Sequence, residues 1–547
     1  MRQIERGGRY YAPLLFLVAM HSAADRHMAA SRSGFLLSTS LPALAPDVLH
    51  GGSAARRVAY LLMLAALALV ATLPLVDWLN ATWHDQQRVG QMLAMALSAV
   101  AATIAFGPGR LRPPRLLDSG QHRLVVLVIG AAFVSACFAR APYWGFVELA
   151  LGVGSLGVAW VVATMRRLRG ATVDRVLMAA LFLTCAGLMV RFLAAYLAAL
   201  AGGGSSLNAW LLVDGFSNPR FYGQFLTLAL PVLLAPLLGS GSLRRHAAIA
   251  GVLVVLAWMV AVTSGTRGTW LGLAVAAFLL AWTGRSGRRW AGLQVASAVA
   301  GVALFWLALT LIPDALGIRI EHHAASRATA SLSQRDIIWR QAIEVAIQHP
   351  LLGIGPMQLA GLPNGVAAHP HQAWLQWAAE LGVPSALLVT WLVVCSGRAL
   401  LPVLRARAMS TQEHDVLRVC LTGALVGALT QSMVDGVLVM PYSQLWVALL
   451  GGWLLGLQPR GAPSSSADSA PLAASRHSLS WWLTAFGAAV AVLAFTVVRD
   501  YPHLAQRERA FATTFGGHFQ PRFWAQGVIA RPPDETTPHG PIRRVSR

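Results

Sequence analysis

Two histidines, His369 and His371, flank a single proline and carry side chains suited to acid–base chemistry. A Gly- and Pro-rich turn precedes them and a long apolar run follows at once, which predicts a position at the mouth of a membrane span. Histidine has an ordinary pKa near neutrality and therefore suits a general base. The pair could also be half of a metal site, but no acidic or cysteine partner stands at ligand spacing, so a metal is disfavoured.

An amphipathic helix is expected directly upstream of the histidines. Ser333 is a favourable N-cap, and Asp336 follows it at capping-box spacing. Apolar side chains then recur at helical spacing, with polar side chains on the opposite face. The apolar face comprises Ile337, Ile338, Ala342, Val345 and Ala346, and the polar face Arg335, Arg340, Gln341 and Glu344. Pro350 should end the helix at His349. An amphipathic helix and two imidazoles beside a membrane are typical of an active-site loop.

Composition defines the class of protein. The 547 residues are 56% hydrophobic and only 12% charged, whereas soluble domains carry roughly twice that charged fraction. All 43 basic residues are arginine, and the formal net charge is +21. Most arginines stand in short clusters between apolar runs, which is the pattern of membrane-topology signals and not of a nucleic-acid face. The four cysteines all lie in apolar segments and show neither disulfide nor zinc spacing.

The apolar runs predict an all-α, polytopic membrane protein. About thirteen runs approach the roughly 20 residues that a bilayer crossing requires. They lie near 57–79, 89–106, 122–139, 146–164, 174–200, 221–239, 247–264, 268–283, 291–312, 373–395, 416–434, 441–457 and 481–498. Arginine clusters fall in alternate connections, and the positive-inside rule makes those connections cytoplasmic. The remaining connections, including the loop from 313 to 372, should face outward, to the periplasm.

The apolar runs and the arginine clusters together predict a chain of five parts. They are a poorly ordered cytoplasmic tail (1–55), a transmembrane bundle (56–457) containing the outward loop 313–372, a cytoplasmic linker (458–480), a final transmembrane helix (481–498) and an outward C-terminal tail (499–547). No internal repeat of fixed period is visible.

Two arginines on the outward side oppose the charge rule. Arg267 lies in the turn TSGTRGTW, where flanking glycines would let the guanidinium approach a bulky anion, although a snorkelling interfacial arginine is the alternative. Arg220, in SNPRFYGQF, has the same two interpretations, ligand contact or interfacial anchoring. Arg335 and Trp339 are spaced i,i+4 and could simply form a surface cation–π contact.

Two charges fall within predicted spans. Arg191 lies nine residues from the outward end of the fifth span, and Glu380 seven residues into the tenth. Ionisable groups at such depth usually face a partner or an aqueous cavity. Their similar depth predicts a buried ion pair between the two spans.

Three motifs in order, TSGTRG, SQRDIIWRQAIEVAIQHPLLGIGP and HPHQAWLQWAAELG, resemble the O-antigen ligase and polymerase superfamily. These bacterial inner-membrane glycosyltransferases use glycans linked to undecaprenyl diphosphate. The resemblance is strong over 215–455 and weaker elsewhere. It implies that Arg267 and Arg335 bind the lipid diphosphate and that His371 is catalytic. Arg220, Arg340, His369 and Gln372 are candidate accessory residues. Gln372 departs from the family pattern, which usually has Asn after the histidine.

The resemblance also implies the reaction. The expected activity is transfer of a glycan, with inversion, to lipid A–core, to another glycan or to a pilin-type protein. No Asp-X-Asp motif is found, so a metal-independent enzyme without a cofactor is expected. A polymerase of the same superfamily is the alternative. A lipid-linked glycan transporter or flippase is a third hypothesis, but such a protein should show repeated halves and broken, charge-lined helices.

Overall fold

A computed structural model describes residues 54–79, 81–107, 116–202, 205–321, 334–362, 364, 366–459, 472–515, 520–525 and 527. The predicted N-terminal tail therefore lies outside the described residues, apart from 54 and 55, and so do the predicted N-cap Ser333 and much of the linker.

Long helices dominate the described part of the chain. In order they are α1 (Ala54–Thr72), α2 (Trp83–Phe106), α3 (Ser119–Cys137), α4 (Pro142–Arg169), α5 (Ala171–Ala201), α6 (Pro219–Leu233), α7 (Ala235–Leu238), α8 (Gly241–Arg244), α9 (Ala247–Thr263), α10 (Arg267–Ala281), α11 (Arg285–Trp306), α12 (Ile312–Ala315), α13 (Arg335–Gln348), α14 (Ala373–Leu381), α15 (Val383–Ala406), α16 (Glu413–Ser432), α17 (Pro441–Leu457), α18 (Leu472–Asp500) and α19 (Leu504–Phe515). Each predicted apolar run overlaps at least one helix, although the runs 221–239 and 373–395 each cover two.

Short elements complete the description. A π-helical turn (Leu307–Leu311) joins α11 to α12, and 3₁₀ turns occur at Ala209–Leu212, Gln358–Gly361 and Tyr501–His503. Two three-residue strands, β1 (Ser206–Asn208) and β2 (Arg319–Glu321), pair in parallel with Leu207 opposite Ile320. The all-α class is confirmed.

Nine described segments are long and apolar enough to cross a membrane, and α9 and α10 are shorter apolar helices. The protein is therefore a multi-pass membrane protein. The segment Pro219–Leu238 is central, because 94% of its most apolar window is buried, whereas α15 is peripheral with 6% buried. Helix α6 packs against α9, α10, α16 and α17, so the core of the bundle surrounds it.

The predicted tenth span is not continuous. Helix α14 ends at Leu381, Gly382 adopts φ +85°, and α15 begins at Val383. This left-handed backbone suits glycine, and it breaks the helix between Glu380 and the membrane-spanning part. The predicted span 373–395 is corrected to a short helix at the end of the bundle followed by the span Val383–Ala406.

The C-terminal region also differs from the expected linker and tail. Helix α18 begins at Leu472, inside the predicted linker. Beyond its end, α19 covers Leu504–Phe515, and the described residues 520–525 return into the protein and are buried.

Candidate active site

His371 lies in the loop immediately before α14, in an uncommon backbone conformation. Its φ is +53°, in the left-handed region that non-glycine residues seldom occupy. Such conformations cost about 1–3 kcal/mol and persist only where the surroundings enforce them. Here the backbone N–H of His371 donates to Nδ1 of His369, at 3.2 Å. The two imidazole rings are 4.1 Å apart between centroids and inclined by 60°.

His369 is the buried member of the pair, with 2% of its surface exposed. It packs against Gly436, where an added Cβ would lie 2.7 Å from its Cε1. Because its Nδ1 accepts a hydrogen bond, the neutral ring carries its proton on Nε2. Burial holds the pKa of His369 well below its usual value, and the positive charge of Arg522 and any proton on His371 lower it further. His369 is therefore a neutral acceptor that holds the backbone of His371.

Asp435 faces the other side of His371. One carboxylate oxygen lies 3.9 Å from His371 Nδ1, too far for a direct hydrogen bond but close enough for a strong electrostatic effect. The carboxylate accepts hydrogen bonds from Gln224 Nε2 at 3.0 Å, from Gln431 Nε2 at 3.3 Å and from the Gly436 N–H at 2.8 Å. These bonds hold Asp435 in the connection just beyond the end of α16.

The environment of His371 determines its protonation. Burial lowers the pKa of His371 to about 4, Asp435 opposes that shift and Arg335 reinforces it. The imidazole is therefore neutral at pH 7 and free to accept a proton. It is also accessible, since 27% of its side chain is exposed.

Two arginines contribute positive charge to the same region. Arg335 is the first residue of α13 and is half-buried, while Arg267 is the first residue of α10 and is exposed. Burial lowers the pKa of Arg335, Asp435 raises it and Arg267 lowers it, so both charges act on this guanidinium. Gly268 brings α10 against Gln431, because an added Cβ would lie 2.9 Å from Gln431 Cγ.

Helix α13 is tied to the histidine loop. The indole N–H of Trp339 donates to the carbonyl of Pro370, at 2.8 Å. Asn364 Oδ1 accepts from the backbone N–H groups of Val366 and Ala367, at 3.0 and 2.9 Å. The predicted apolar face is partly confirmed: Ile338, Ala342 and Val345 are buried, whereas Ile337 is 49% exposed. The helix begins at Arg335 with Gln334, not Ser333, as its N-cap, and it ends at Gln348 with His349 as its C-cap, next to the predicted end.

The remaining accessory candidates have different positions. Gln372 is the N-cap of α14, and its side-chain oxygen accepts from the Leu375 N–H, so it has a structural role at the start of this helix. Arg220 is half-buried at the start of α6, and Arg340 is exposed on α13. Among the described residues, no hydrogen bond or ion pair joins either arginine to the histidines or to Asp435.

The predicted ion pair between Arg191 and Glu380 is wrong. Arg191 binds the carboxylate of Asp214 and the carbonyl of Leu75. Glu380 instead pairs with Arg522, at 2.7 Å. The prediction compared depth along two separate helices, and depth does not say which helices are neighbours. Loops and the C-terminal segment supply the nearer partners.

Sequence reasoning missed Asp435 and Arg522. Asp435 lies 64 residues from His371 along the chain, and so a search for partners at local spacing does not reach it. The sequence signal that could have found it was its place in a connection predicted to face outward, as are those of His371 and Arg267. Arg522 lies in the tail, where no pattern marked it. In the described part of the chain, no three His, Cys, Asp or Glu side chains converge as metal ligands.

In this geometry a neutral, accessible imidazole faces a fixed carboxylate and lies within electrostatic reach of Arg335, and Arg335 in turn lies within electrostatic reach of Arg267. Residues 252–390, about a quarter of the chain, match the family model described as O-antigen ligase. The match includes Arg267, Arg335, His369 and His371. It supports membership of the O-antigen ligase superfamily, whose members are glycosyltransferase-like ligases. A search of curated proteins gave no match.

Proposed function

We propose that this protein transfers a glycan from undecaprenyl diphosphate to an acceptor hydroxyl group. The observation that carries the proposal is the convergence of His371, Asp435, Arg335 and Arg267, from three separate connections of the chain, at one end of the bundle. A neutral base and two cations are what transfer from a diphosphate requires.

In the proposed step, His371 removes the proton of the acceptor hydroxyl as its oxygen attacks the anomeric carbon. A new glycosidic bond forms, the bond from that carbon to the diphosphate breaks, and undecaprenyl diphosphate leaves with the bonding electrons. Direct displacement inverts the anomeric configuration. Asp435 stabilises the imidazolium that forms, since its carboxylate faces His371 at 3.9 Å.

Arg267 and Arg335 are proposed to bind the diphosphate and stabilise the charge that accumulates on it. Guanidinium groups bind phosphate oxygens bidentately, which fixes the leaving group as well as its charge. With the base and the counter-charges supplied by side chains, we propose a metal-independent reaction.

The proposed location is the bacterial inner membrane, with the site facing the periplasm. The arginine-rich connections support this orientation through the positive-inside rule. An acceptor would then arrive from the periplasm while the lipid carrier stays in the bilayer. Lipid A–core is the proposed acceptor, and a pilin-type protein is the other acceptor of the same chemistry. A polymerase, which adds the glycan to another repeat, would use the same residues.

A deletion strain tests the proposal. Mass spectrometry of its lipopolysaccharide and pilin should show loss of the attached glycan and accumulation of the lipid-linked glycan, and a plasmid copy of the wild-type gene should reverse both. Retention of single repeats without longer chains would identify a polymerase. If the glycosylation of both acceptors and the length of the glycan chains are unchanged in the deletion strain, the proposal is contradicted.

A further inference from the structure

The chain returns to the site region near its C-terminal end. Gln520, Arg522, Phe523, Trp524 and Ala525 are each at most 4% exposed, although they follow the last membrane-spanning helix. Segments near chain ends are normally poorly ordered unless specific contacts tie them down. Here the segment 520–525 is instead held inside the protein by specific polar contacts.

Helix α2 provides the first set of contacts. Arg88 donates from Nε to the carbonyl of Phe523 and from Nη2 to that of Arg522, both at 2.9 Å. Asp85 accepts from the Ala525 N–H at 2.7 Å. Buried groups on α2 thus satisfy the backbone of the segment, as buried polar groups require. Trp524 adds a bond from its indole N–H to Asp500, at 3.0 Å.

Arg522 provides the second set. Its Nη2 lies 2.7 Å from a carboxylate oxygen of Glu380 and 3.2 Å from one of Glu148. Its Nε and Nη1 are buried and have no hydrogen-bond partner in the described part of the chain. A buried guanidinium is costly unless it is paired, so the two carboxylates are what hold it there.

Glu380 connects this arginine to the histidines. It lies near the end of the nine-residue helix α14, whose other end begins directly after His371 and Gln372. The carboxylate of Glu380 also accepts from the Leu359 N–H at 3.3 Å and from Gln376 at 3.3 Å. Arg522 therefore binds the far end of the short helix that directly follows the histidine loop.

We propose that the C-terminal segment 520–525 is part of the active site and that Arg522, through Glu380 and α14, is a positioning residue for His371. The reasoning rests on the proposed function, because it takes His371 as the base. It goes beyond that function in assigning a role to a segment about 150 residues from the histidines in sequence. Small displacements of a catalytic group cost up to about a hundredfold in rate.

The test uses the full-length protein in lipid nanodiscs, with the variants Arg522→Met and Arg522→Lys. Arg509→Ala is the matched control, because Arg509 is an exposed arginine in the same tail. Hydrogen–deuterium exchange should be faster in the peptide 366–376 of Arg522→Met, intermediate in Arg522→Lys and unchanged in the control. This measurement needs no substrate. Wild-type exchange in Arg522→Met would overturn the proposal.

Transfer kinetics give the second measurement, with undecaprenyl-diphosphate-linked glycan and lipid A–core isolated from the source strain. Arg522→Met should lower kcat by about tenfold or more with little change in KM for the donor, and lysine should rescue it only in part. The double variant Arg522→Met/Glu380→Gln removes the buried Glu380 charge that Arg522→Met leaves unpaired, whereas Glu148 is partly exposed, so the double variant should regain stability but not kcat.

Recovery of kcat together with stability in the double variant would show a merely structural role and overturn the proposal. If Arg522→Met does not fold, the lysine and double variants still decide the question. A wild-type protein that transfers glycan to no acceptor would contradict the proposed function alone, and the exchange experiment would still test the C-terminal segment.

Discussion

The backbone N–H of His371 donates to Nδ1 of His369, and this bond holds His371 at a φ of +53°. The two histidines therefore have different tasks. One is exposed enough to meet a substrate, whereas the other is buried and can serve only as a neutral acceptor.

Removing the acceptor should release the strained backbone. We expect His369→Ala to lower kcat by about 10- to 100-fold, in line with the roughly 1–3 kcal/mol that such a conformation costs, while donor binding stays near wild type. His369→Asn should recover part of the rate, because its amide oxygen can accept the same N–H. Steady-state transfer assays check both variants. A His369→Ala variant with wild-type kcat would contradict the assigned bond.

Asp435 should set the acid limb of the pH profile. Protonation of His371 removes the base, so transfer should fall as pH drops through its pKa of about 4. Asp435 raises that pKa, and Asp435→Asn should therefore move the acid limb to lower pH and reduce the rate at pH 7 by roughly tenfold through a weaker base. Asp336→Asn, an exposed carboxylate on α13, is the control. An unmoved or raised acid limb would refute the coupling.

The arginines should affect donor binding as well as rate. We expect Arg267→Ala and Arg335→Ala each to raise KM for the lipid-linked donor and lower kcat, with poor rescue by lysine, which lacks the bidentate fork. Arg319→Ala serves as the matched control, because Arg319 is an exposed arginine in the same loop as Arg335. Full activity in the lysine variants would mean that only charge, and not geometry, is used.

The C-terminus should lie on the same side of the membrane as the site. The segment 520–525 contacts Arg88 and Glu380, and the charge of Arg522 acts on His369, so the tail and the histidine loop share one end of the bundle. Alkaline phosphatase fused after Arg547 should be active, since that enzyme needs the periplasm. An inactive phosphatase together with an active cytoplasmic reporter at the same position would show that the C-terminus lies on the opposite, cytoplasmic side.

Hydropathy and arginine placement predicted the class and the positions of the helices, because lipid imposes length and composition on every span. They also predicted that Arg267, Arg335 and His371 lie on the same side of the membrane. The break at Gly382 was missed, since a glycine within an apolar run does not reveal its φ. The interaction partners of the site residues were missed for another reason. Asp435 and Arg522 meet the site only through packing between distant segments, and the pairing of Arg191 with Glu380 failed because depth is not proximity.

The most direct test of the central claim is transfer by His371→Ala, with His349→Ala, an exposed histidine just beyond α13, as the control. Donor binding and glycan transfer are measured in nanodiscs, with and without EDTA. We expect His371→Ala to bind the donor almost as the wild type does and to transfer no measurable glycan, and we expect EDTA to leave the wild-type rate unchanged. Normal transfer by His371→Ala, or loss of wild-type transfer in EDTA, would contradict the histidine mechanism.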